Sequence, residues 1–156
     1  MAAPGIYCLI LENPACTVRV GALGALAFPA GRHVYIGSAL GPGGLLRVCR
    51  HLRLAAEPDR PPRWHIDYLL TDPRFSPEAV VWVETRERLE CTVARTLGGP
   101  GIRGFGCSDC RCPTHLFSRQ EDPVQEVCRA ITAAGCRPHL WRPGDRGPDF
   151  LVRAKE

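Results

Sequence analysis

The pattern of hydrophobic and polar positions is clearest in residues 34–53, VYIGSALGPGGLLRVCRHLR. A β-prone segment ends at Gly37 and a glycine-rich loop follows it, which predicts a strand that stops there. Beyond the loop, Leu45, Cys49 and Leu52 recur at offsets of four and seven, the spacing of one apolar helix face. The stretch therefore predicts a strand, a loop and a helix.

The same helix carries a second, basic pattern. Arg47, Arg50 and His51 recur at offsets of three and four, so they are predicted to share one polar face. Tyr35 stands at the end of the preceding strand, and a tyrosine facing two arginines and a histidine could hold an anionic, phosphate-like group. The alternative is a solvated helix face, which is the usual meaning of a run of charges.

Hydrophobic periodicity and turn residues predict further elements along the chain. The predicted strands cover residues 5–12, 17–20, 23–28, 33–37, 79–84 and 114–117. The predicted helices cover residues 45–54, 64–71, 86–97 and 122–134. The strands before residue 38 are expected to form a small antiparallel meander. The continuous apolar run AVVWVE at residues 79–84 predicts a buried, central strand.

Length and composition limit the class of protein. At 156 residues, with 45% hydrophobic and 23% charged residues, the chain is expected to form one globular domain with a substantial core. It contains no run of about 18 apolar residues that would predict a transmembrane helix. The start, MAAPGIY, lacks the features of a signal peptide. These observations predict a cytoplasmic protein that does not associate with membranes.

Positive charge is concentrated in the N-terminal third. The chain has 20 basic and 16 acidic residues, which gives a net charge of +4. Residues 1–53 contain five arginines and one acidic residue, while the remaining residues balance at 15 of each sign. This distribution predicts a polyanionic partner near residues 34–53, because arginine presents a planar fork of donors to phosphate.

The nine cysteines are expected to be mostly reduced, since their number is odd and nothing in the sequence indicates secretion. Four are predicted to be small core residues: Cys8, Cys49, Cys91 and Cys128. Four potential Zn²⁺ ligands with the pattern C-x2-C-x-C-x2-H are Cys107, Cys110, Cys112 and His115. The alternative is a buried thiol cluster that packs a loop, which the tight spacing favours because simultaneous ligation by Cys-x-Cys would be strained.

Glu90 is the carboxylate whose position is most unusual. Its predicted helix has an apolar stripe formed by Leu89, Val93 and Leu97, and Glu90 borders or joins that stripe. A carboxylate on a buried helix face is costly unless it is paired, hydrogen-bonded or bound to a metal. Glu90 is therefore predicted either to form a buried salt bridge with an arginine or to bind Mg²⁺ or Mn²⁺.

An ordered set of residues resembles the GIY-YIG nuclease superfamily. Its members in chain order are Gly5-Ile6-Tyr7, Tyr35-Ile36-Gly37, Arg47, His51 and Glu90. This resemblance covers about residues 4–97. The segments WHIDYLL, RLEC and GFGCSDCRCPTHLF extend it to residue 117 and resemble one subfamily, in which the domain occurs alone or attached to a DNA-repair glycosylase.

The resemblance implies an α+β fold with a small, mainly antiparallel three-stranded sheet flanked by helices. Residues 1–118 would form this nuclease-like domain, and residues 119–156 would form a C-terminal extension with one helix and a Pro/Gly/Arg-rich tail. Members of the superfamily hydrolyse a phosphodiester in DNA with one divalent metal ion. The resemblance therefore implies a metal-dependent endonuclease that acts in DNA repair or on branched or damaged DNA.

The resemblance also implies roles for individual residues. Glu90 would hold Mg²⁺ or Mn²⁺, and Tyr7 or Tyr35 would deprotonate or position the attacking water. Arg47 would bind the scissile phosphate and stabilise its developing charge, with assistance from His51. Catalysis of this kind consists mainly of positioning and of charge neutralisation by metal and arginine.

Three residues around this set receive further interpretations. His65, within WHIDYLL, is either a second active-site histidine or a residue that packs a helix. Arg50 and Arg53 are expected to contact the nucleic-acid backbone, since they lie on the same helix as Arg47.

The chain departs from the superfamily pattern at one position. The superfamily commonly carries an asparagine after the metal-binding glutamate, whereas the single asparagine of this chain is Asn13. Candidate replacements in the GFGCSDC segment are Ser108 and Asp109, in a loop that also contains Cys110, Cys112 and His115. Two alternatives to the endonuclease therefore stay open: a non-catalytic nucleic-acid-binding module, and a zinc-stabilised interaction domain built around this loop.

Overall fold

The computed structural model describes residues 2–107 and 110–147, which form strands, α-helices and a short 3-10 helix at Gly21–Leu23. The strands are β1 Gly5–Asn13, β2 Cys16–Arg19, β3 Ala25–Phe28, β4 Gly31–Ala39, β5 Ser76–Glu84, β6 Leu116–Arg119 and β7 His139–Trp141. The α-helices are α1 Leu46–Ala56, α2 His65–Leu70, α3 Glu90–Leu97 and α4 Val124–Ala133. Within these described residues, no helix combines the length and the hydrophobicity needed to cross a bilayer.

The main sheet has five strands in the order β6-β4-β1-β5-β7, and all neighbours in it are antiparallel. Strands β2 and β3 form a separate two-stranded sheet. The α+β class and the mainly antiparallel sheet are therefore confirmed, but the expectation of three strands is wrong because β6 and β7 extend the β4-β1-β5 core on both sides. The apolar strand β5 is paired on both edges, yet the central strand is β1.

Strand β1 is buried along most of its length because helices cover both faces of the sheet. Its side chains Tyr7, Leu9 and Leu11 belong to one core, which also contains the apolar faces of α1 and α2. Its alternate side chains Ile6 and Cys8 belong to a second core with α3 and α4. This two-sided burial explains why β1 reads as a continuous apolar run rather than as an alternating one.

Helix α1 differs in one respect from the two faces predicted for it. Leu45 and Cys49 are buried as expected, whereas Leu52 is only half-buried. His51 was expected beside Arg50 on a polar face, but it is 1% exposed while Arg50 is exposed. The prediction of a shared, open basic face is therefore wrong for His51, because α2 and the start of the sheet cover that side of the helix.

The C-terminal residues form a helix that packs on the main sheet and a strand that extends it. The helix predicted over residues 122–134 is present as α4, which packs against α3 and β5. Arg119 on β6 joins these elements, since it forms an ion pair with Glu126 on α4 and donates to the carbonyl of Gly98 at the end of α3. The predicted tail contains a strand that sequence reasoning missed, β7, which pairs with β5.

Candidate functional site

An open cavity of about 310 Å³ lies where β1 and β4 meet the starts of α2 and α3. Six residues singled out from the sequence line it: Tyr7, Tyr35, Arg47, His51, His65 and Glu90. The loop that carries the cysteine cluster contributes Cys110 and His115 to the same wall. Arg50 and Arg53 lie outside this lining, exposed on α1. The structure therefore brings together most of the predicted site residues and leaves these two arginines on the helix surface.

The two tyrosines meet through the register of β1 and β4. Tyr7 lies opposite Gly37 and Leu9 lies opposite Tyr35, so the tyrosines are diagonal neighbours on one face of the sheet. Their ring centroids are 6.2 Å apart in an edge-to-face arrangement. A Cβ on Gly37 would overlap the Cζ and hydroxyl of Tyr7, so only glycine leaves room for that ring. The antiparallel register of β1 and β4 thus brings the two tyrosines together on one face of the sheet.

Tyr7 and His51 form a buried pair at the bottom of the cavity. The Tyr7 hydroxyl lies 2.7 Å from Nε2 of His51, and the Nδ1 atom of His51 is buried without a hydrogen-bond partner. Burial, reinforced by Tyr35, raises the pKa of Tyr7 well above its usual value of 10.0. Burial also lowers the pKa of His51 to about 4. At neutral pH the pair is therefore uncharged, with the tyrosine protonated and the imidazole able to accept a proton.

Arg47 projects from α1 to the cavity wall and is held there by two contacts. Its Nη1 donates to the carbonyl of Ser38 over 2.8 Å, and its guanidinium lies 5.0 Å from the centroid of the Trp64 ring. Trp64 is 44% exposed, which is unusual for so large an apolar side chain. Asp67, which is fully buried, fixes the backbone of this segment by accepting hydrogen bonds from the N–H groups of Arg63 and Trp64.

Sequence reasoning did not assign Trp64 a role, although its position next to His65 in WHIDYLL was a signal. His65 Nδ1 accepts a hydrogen bond of 2.9 Å from the N–H of Gly106, and the imidazole packs 5.4 Å from the Phe105 ring. Burial lowers the pKa of His65, so the neutral form that accepts this hydrogen bond is favoured. His65 thus anchors the loop against α2 and also lines the cavity.

Glu90 is the first residue of α3 and is half-buried at the cavity wall. Helix α3 begins here rather than at residue 86 as predicted, so Leu89 precedes the helix while Val93 and Leu97 are buried in the second core. Within the described part of the chain, Glu90 forms no ion pair, and its Oε2 atom is buried without a hydrogen-bond partner. The predicted alternative of a buried salt bridge to an arginine is therefore not observed there.

Four potential metal ligands form a cluster at this wall: Cys91, Cys110, Cys112 and His115. Their ligand atoms all lie within 4.8 Å of one another, so the cluster could hold a metal ion. Nε2 of His115 is 3.7 Å from Sγ of Cys91 and 3.6 Å from Sγ of Cys110.

The observed cluster corrects two predictions about the cysteines. Cys107, the first cysteine of the predicted set, is not part of it, and its Sγ lies 3.4 Å from the carbonyl of Phe105. Cys91, which was predicted to be a small core residue, replaces Cys107 as the fourth member of the cluster. It does so because the start of α3 faces the loop. Cys128 is also only half-buried, so of the four predicted core cysteines Cys8 and Cys49 are buried.

Two predicted candidates cannot be placed, since Ser108 and Asp109 lie outside the described residues. Asn13, the asparagine of the chain, lies at the end of β1 and not in the cavity lining. Its side chain is 2.7 Å from Nδ1 of His33 and donates to the carbonyls of Pro14 and Pro29. Asn13 therefore stabilises the turn after β1.

Comparison with known proteins identifies the family of the chain. No curated protein and no solved structure matches the chain. One family model, described as Domain of unknown function DUF123, matches residues 6–136. The matched segment contains the cavity, the cysteine–histidine cluster and α4, and it covers well over half of the sequence. The chain therefore belongs to the DUF123 family.

Proposed function

We propose that this chain is a divalent-metal-dependent endonuclease that hydrolyses a phosphodiester in DNA. The observation that carries the proposal is the convergence of Tyr7, Arg47, His51 and Glu90 around one cavity. Two of these residues hold buried polar atoms without a hydrogen-bond partner, Nδ1 of His51 and Oε2 of Glu90. Such atoms at the wall of an open cavity favour a polar or ionic ligand, because unsatisfied buried groups are otherwise costly.

Binding of a phosphodiester would rest on Arg47 and its surroundings. The guanidinium is held between the carbonyl of Ser38 and the ring of Trp64, so little ordering is needed when an anion binds. Arginine matches the geometry of phosphate oxygens and stabilises the charge that develops on them in the transition state. The exposed face of Trp64 would supply a stacking surface for a neighbouring unpaired base.

Glu90 would hold the metal ion. It is the single carboxylate among the described residues that line the cavity, and Mg²⁺ or Mn²⁺ often binds through one or two carboxylates together with water and phosphate oxygens. The unpartnered Oε2 atom fits this use. When bound, such an ion would polarise the phosphodiester and lower the pKa of an attached water.

The pair formed by Tyr7 and His51 would activate the attacking water. The Tyr7 hydroxyl would accept the proton of the water while it passes its own proton to Nε2 of His51, 2.7 Å away. The oxygen of the water bonds to phosphorus as the bond from phosphorus to the leaving oxygen breaks, and the leaving alkoxide takes up a proton from solvent water to form the alcohol. A bound phosphate favours this transfer, because nearby negative charge stabilises the imidazolium.

The test is nicking of supercoiled, branched and damaged DNA with Mg²⁺ or Mn²⁺. Glu90→Gln and Arg47→Ala are expected to lower the cleavage rate by about 10²-fold or more. The matched controls are Glu87→Gln and Arg129→Ala, which change exposed residues away from the cavity and should keep the wild-type rate. Full activity of both cavity variants would refute the proposal.

A second candidate is a non-catalytic nucleic-acid-binding module with the same fold. It is favoured by one observation, the absence of any asparagine after Glu90 in the sequence. Such a module would bind DNA with an affinity that falls steeply with salt, because arginine contacts release counterions from phosphates. Salt-sensitive binding without metal-dependent cleavage of any substrate would support it, whereas cleavage that is lost in Glu90→Gln would exclude it.

A further inference from the structure

We propose that Cys91, Cys110, Cys112 and His115 form a closed, four-coordinate Zn²⁺ site that fastens residues 110–115 to the start of α3. A tetrahedral zinc ion with Zn–S of about 2.3 Å and Zn–N of about 2.0 Å places its nitrogen and sulfur ligands about 3.5 Å apart. The observed separations between Nε2 of His115 and the Sγ atoms of Cys91 and Cys110 are 3.7 Å and 3.6 Å. These two separations match a zinc-sized centre, and all four ligand atoms lie within 4.8 Å of one another.

Backbone hydrogen bonds hold the segment that carries His115 in place without a metal. The N–H of Gly104 donates to the carbonyl of Pro113, and the N–H of His115 donates to the carbonyl of Phe105. The carbonyl of His115 accepts from the N–H of Ile36 on β4, which ties the loop to the edge of the sheet. The Sγ atoms of Cys110 and Cys112 lie within 4.8 Å of each other and of the other two ligand atoms, so the Cys-x-Cys spacing is compatible with joint ligation.

Cys91 supplies the fourth ligand from a different element. It is the second residue of α3, so its side chain reaches the cluster from the helix and not from the segment that carries the other three ligands. Cys91 is well separated in sequence from Cys110, Cys112 and His115. A bound zinc ion would therefore cross-link α3 to the segment that carries those three residues. Zinc uptake would release the protons of the thiols, because only thiolates are ligands.

The donor set selects the metal. Three thiolates and one imidazole suit zinc, whereas Mg²⁺ and Mn²⁺ prefer carboxylate, carbonyl and water oxygens. All four positions of the tetrahedron would be protein atoms, which is the pattern of a structural rather than a catalytic zinc site. The site is therefore distinct from the one proposed at Glu90, although Glu90 and Cys91 are adjacent residues.

The proposed zinc site adjoins the cavity, so a bound zinc ion would affect the geometry of the cavity wall. Cys110 and His115 form part of the cavity wall, and Cys91 follows Glu90 directly at the helix start. A zinc ion there would fix the orientation of Glu90 relative to the loop. This consequence rests on the proposed function, but the zinc site itself does not.

The experiment measures metal content, so its result does not depend on nuclease activity. Full-length protein is purified with a reductant, incubated with ZnCl₂, dialysed and measured by elemental analysis together with a thiol titration. Wild type is expected to retain about one zinc per chain. Cys91→Ser and Cys112→Ser should each lose most of it, while the matched control Cys107→Ser should keep it, since the Cys107 thiol lies outside the cluster.

Cobalt provides a readout that needs no variant. Replacement of zinc by Co²⁺ in wild type should produce thiolate-to-cobalt absorption and the intense visible bands of a tetrahedral ion. Wild-type protein with reduced thiols that binds neither zinc nor cobalt would overturn the proposal. So would iron in place of zinc, a disulfide within the cluster, or an equal loss of zinc in Cys107→Ser.

Discussion

The hydroxyl of Tyr7 and Nε2 of His51 lie 2.7 Å apart, although the residues are 44 positions apart in the sequence. Both side chains are buried, at 1% exposure each, and they line the cavity that Arg47 and Glu90 also reach. The pair joins the central strand β1 to helix α1. The pair therefore links the stability of the fold to the chemistry proposed for the cavity. It can be tested both by measuring stability and by measuring cleavage.

Removal of the Tyr7 hydroxyl should weaken both properties. In Tyr7→Phe, Nε2 of His51 loses its partner, so the free energy of unfolding should fall by about 1–3 kcal/mol. Loss of the proposed proton transfer should lower the cleavage rate by about 10²–10⁴-fold. Urea unfolding and plasmid nicking measure the two effects. The control is Tyr68→Phe, because Tyr68 is outside the cavity lining, and equal losses in both variants would contradict the prediction.

Gly37→Ala should displace the Tyr7 ring without removing any functional group. The added Cβ would overlap the Cζ and hydroxyl of Tyr7, so the ring or the strand must shift. Overpacking of this kind costs about 1–3 kcal/mol in unfolding free energy. The matched control is Gly41→Ala, where a Cβ meets nothing within 4 Å. The difference in denaturant midpoint between the two variants is the measurement, and similar midpoints would refute the argument.

The part of the site that sequence could predict depends on local pattern and strand register. The strands that carry Tyr7 and Tyr35 were both predicted from local pattern, and β1 and β4 do pair antiparallel, which brings the two tyrosines together. Glu90 was recognisable because a carboxylate interrupted an apolar helical stripe. Both inferences depend on the regular spacing of residues along a strand or a helix. That spacing can be recognised in a single sequence.

Other features depend on packing between distant elements, and the sequence pattern did not reveal them. Cys91 reads as an ordinary small core residue until α3 is placed against the loop that carries Cys110. His51 has helical spacing suited to a polar face, but packing of α1 against α2 buries it. Strand β7 is three residues long, so it is too short for periodicity to identify, and its pairing with β5 is determined by tertiary contacts.

Two buried histidines should make stability depend on pH. Burial lowers the pKa of His33 and of His51 from 6.5 to about 4, so both are neutral in the folded chain at neutral pH. The unfolded chain binds protons below pH 6.5, whereas the folded chain does not until about pH 4. Stability is therefore complete above pH 6.5 and falls as the pH drops from 6.5 towards 4, by roughly 3 kcal/mol per histidine.

Denaturant unfolding at several pH values between 7.5 and 4 measures this loss. The variant His33→Gln removes one of these protonation sites, so its stability should decline less steeply over the same range. Asp72 and Asp122 have pKa values lowered from 3.8, chiefly by hydrogen bonding to Arg74 and to the N–H of Val124 respectively, so their contributions are lost at lower pH. An identical pH slope for wild type and His33→Gln would contradict the assignment.

Trp64→Ala should impair DNA binding with little effect on folding. The ring is 44% exposed and supports the guanidinium of Arg47 from 5.0 Å, so its loss removes both a stacking surface and the restraint on that arginine. Base stacking on an aromatic side chain contributes about 1–3 kcal/mol, so the dissociation constant for single-stranded DNA should rise by about 5- to 150-fold. Leu140→Ala is the matched control, because Leu140 is also 44% exposed but lies on β7 away from the cavity. Trp64→Phe should restore most of the affinity, and unchanged binding by Trp64→Ala in fluorescence anisotropy would remove Trp64 from the proposed interface.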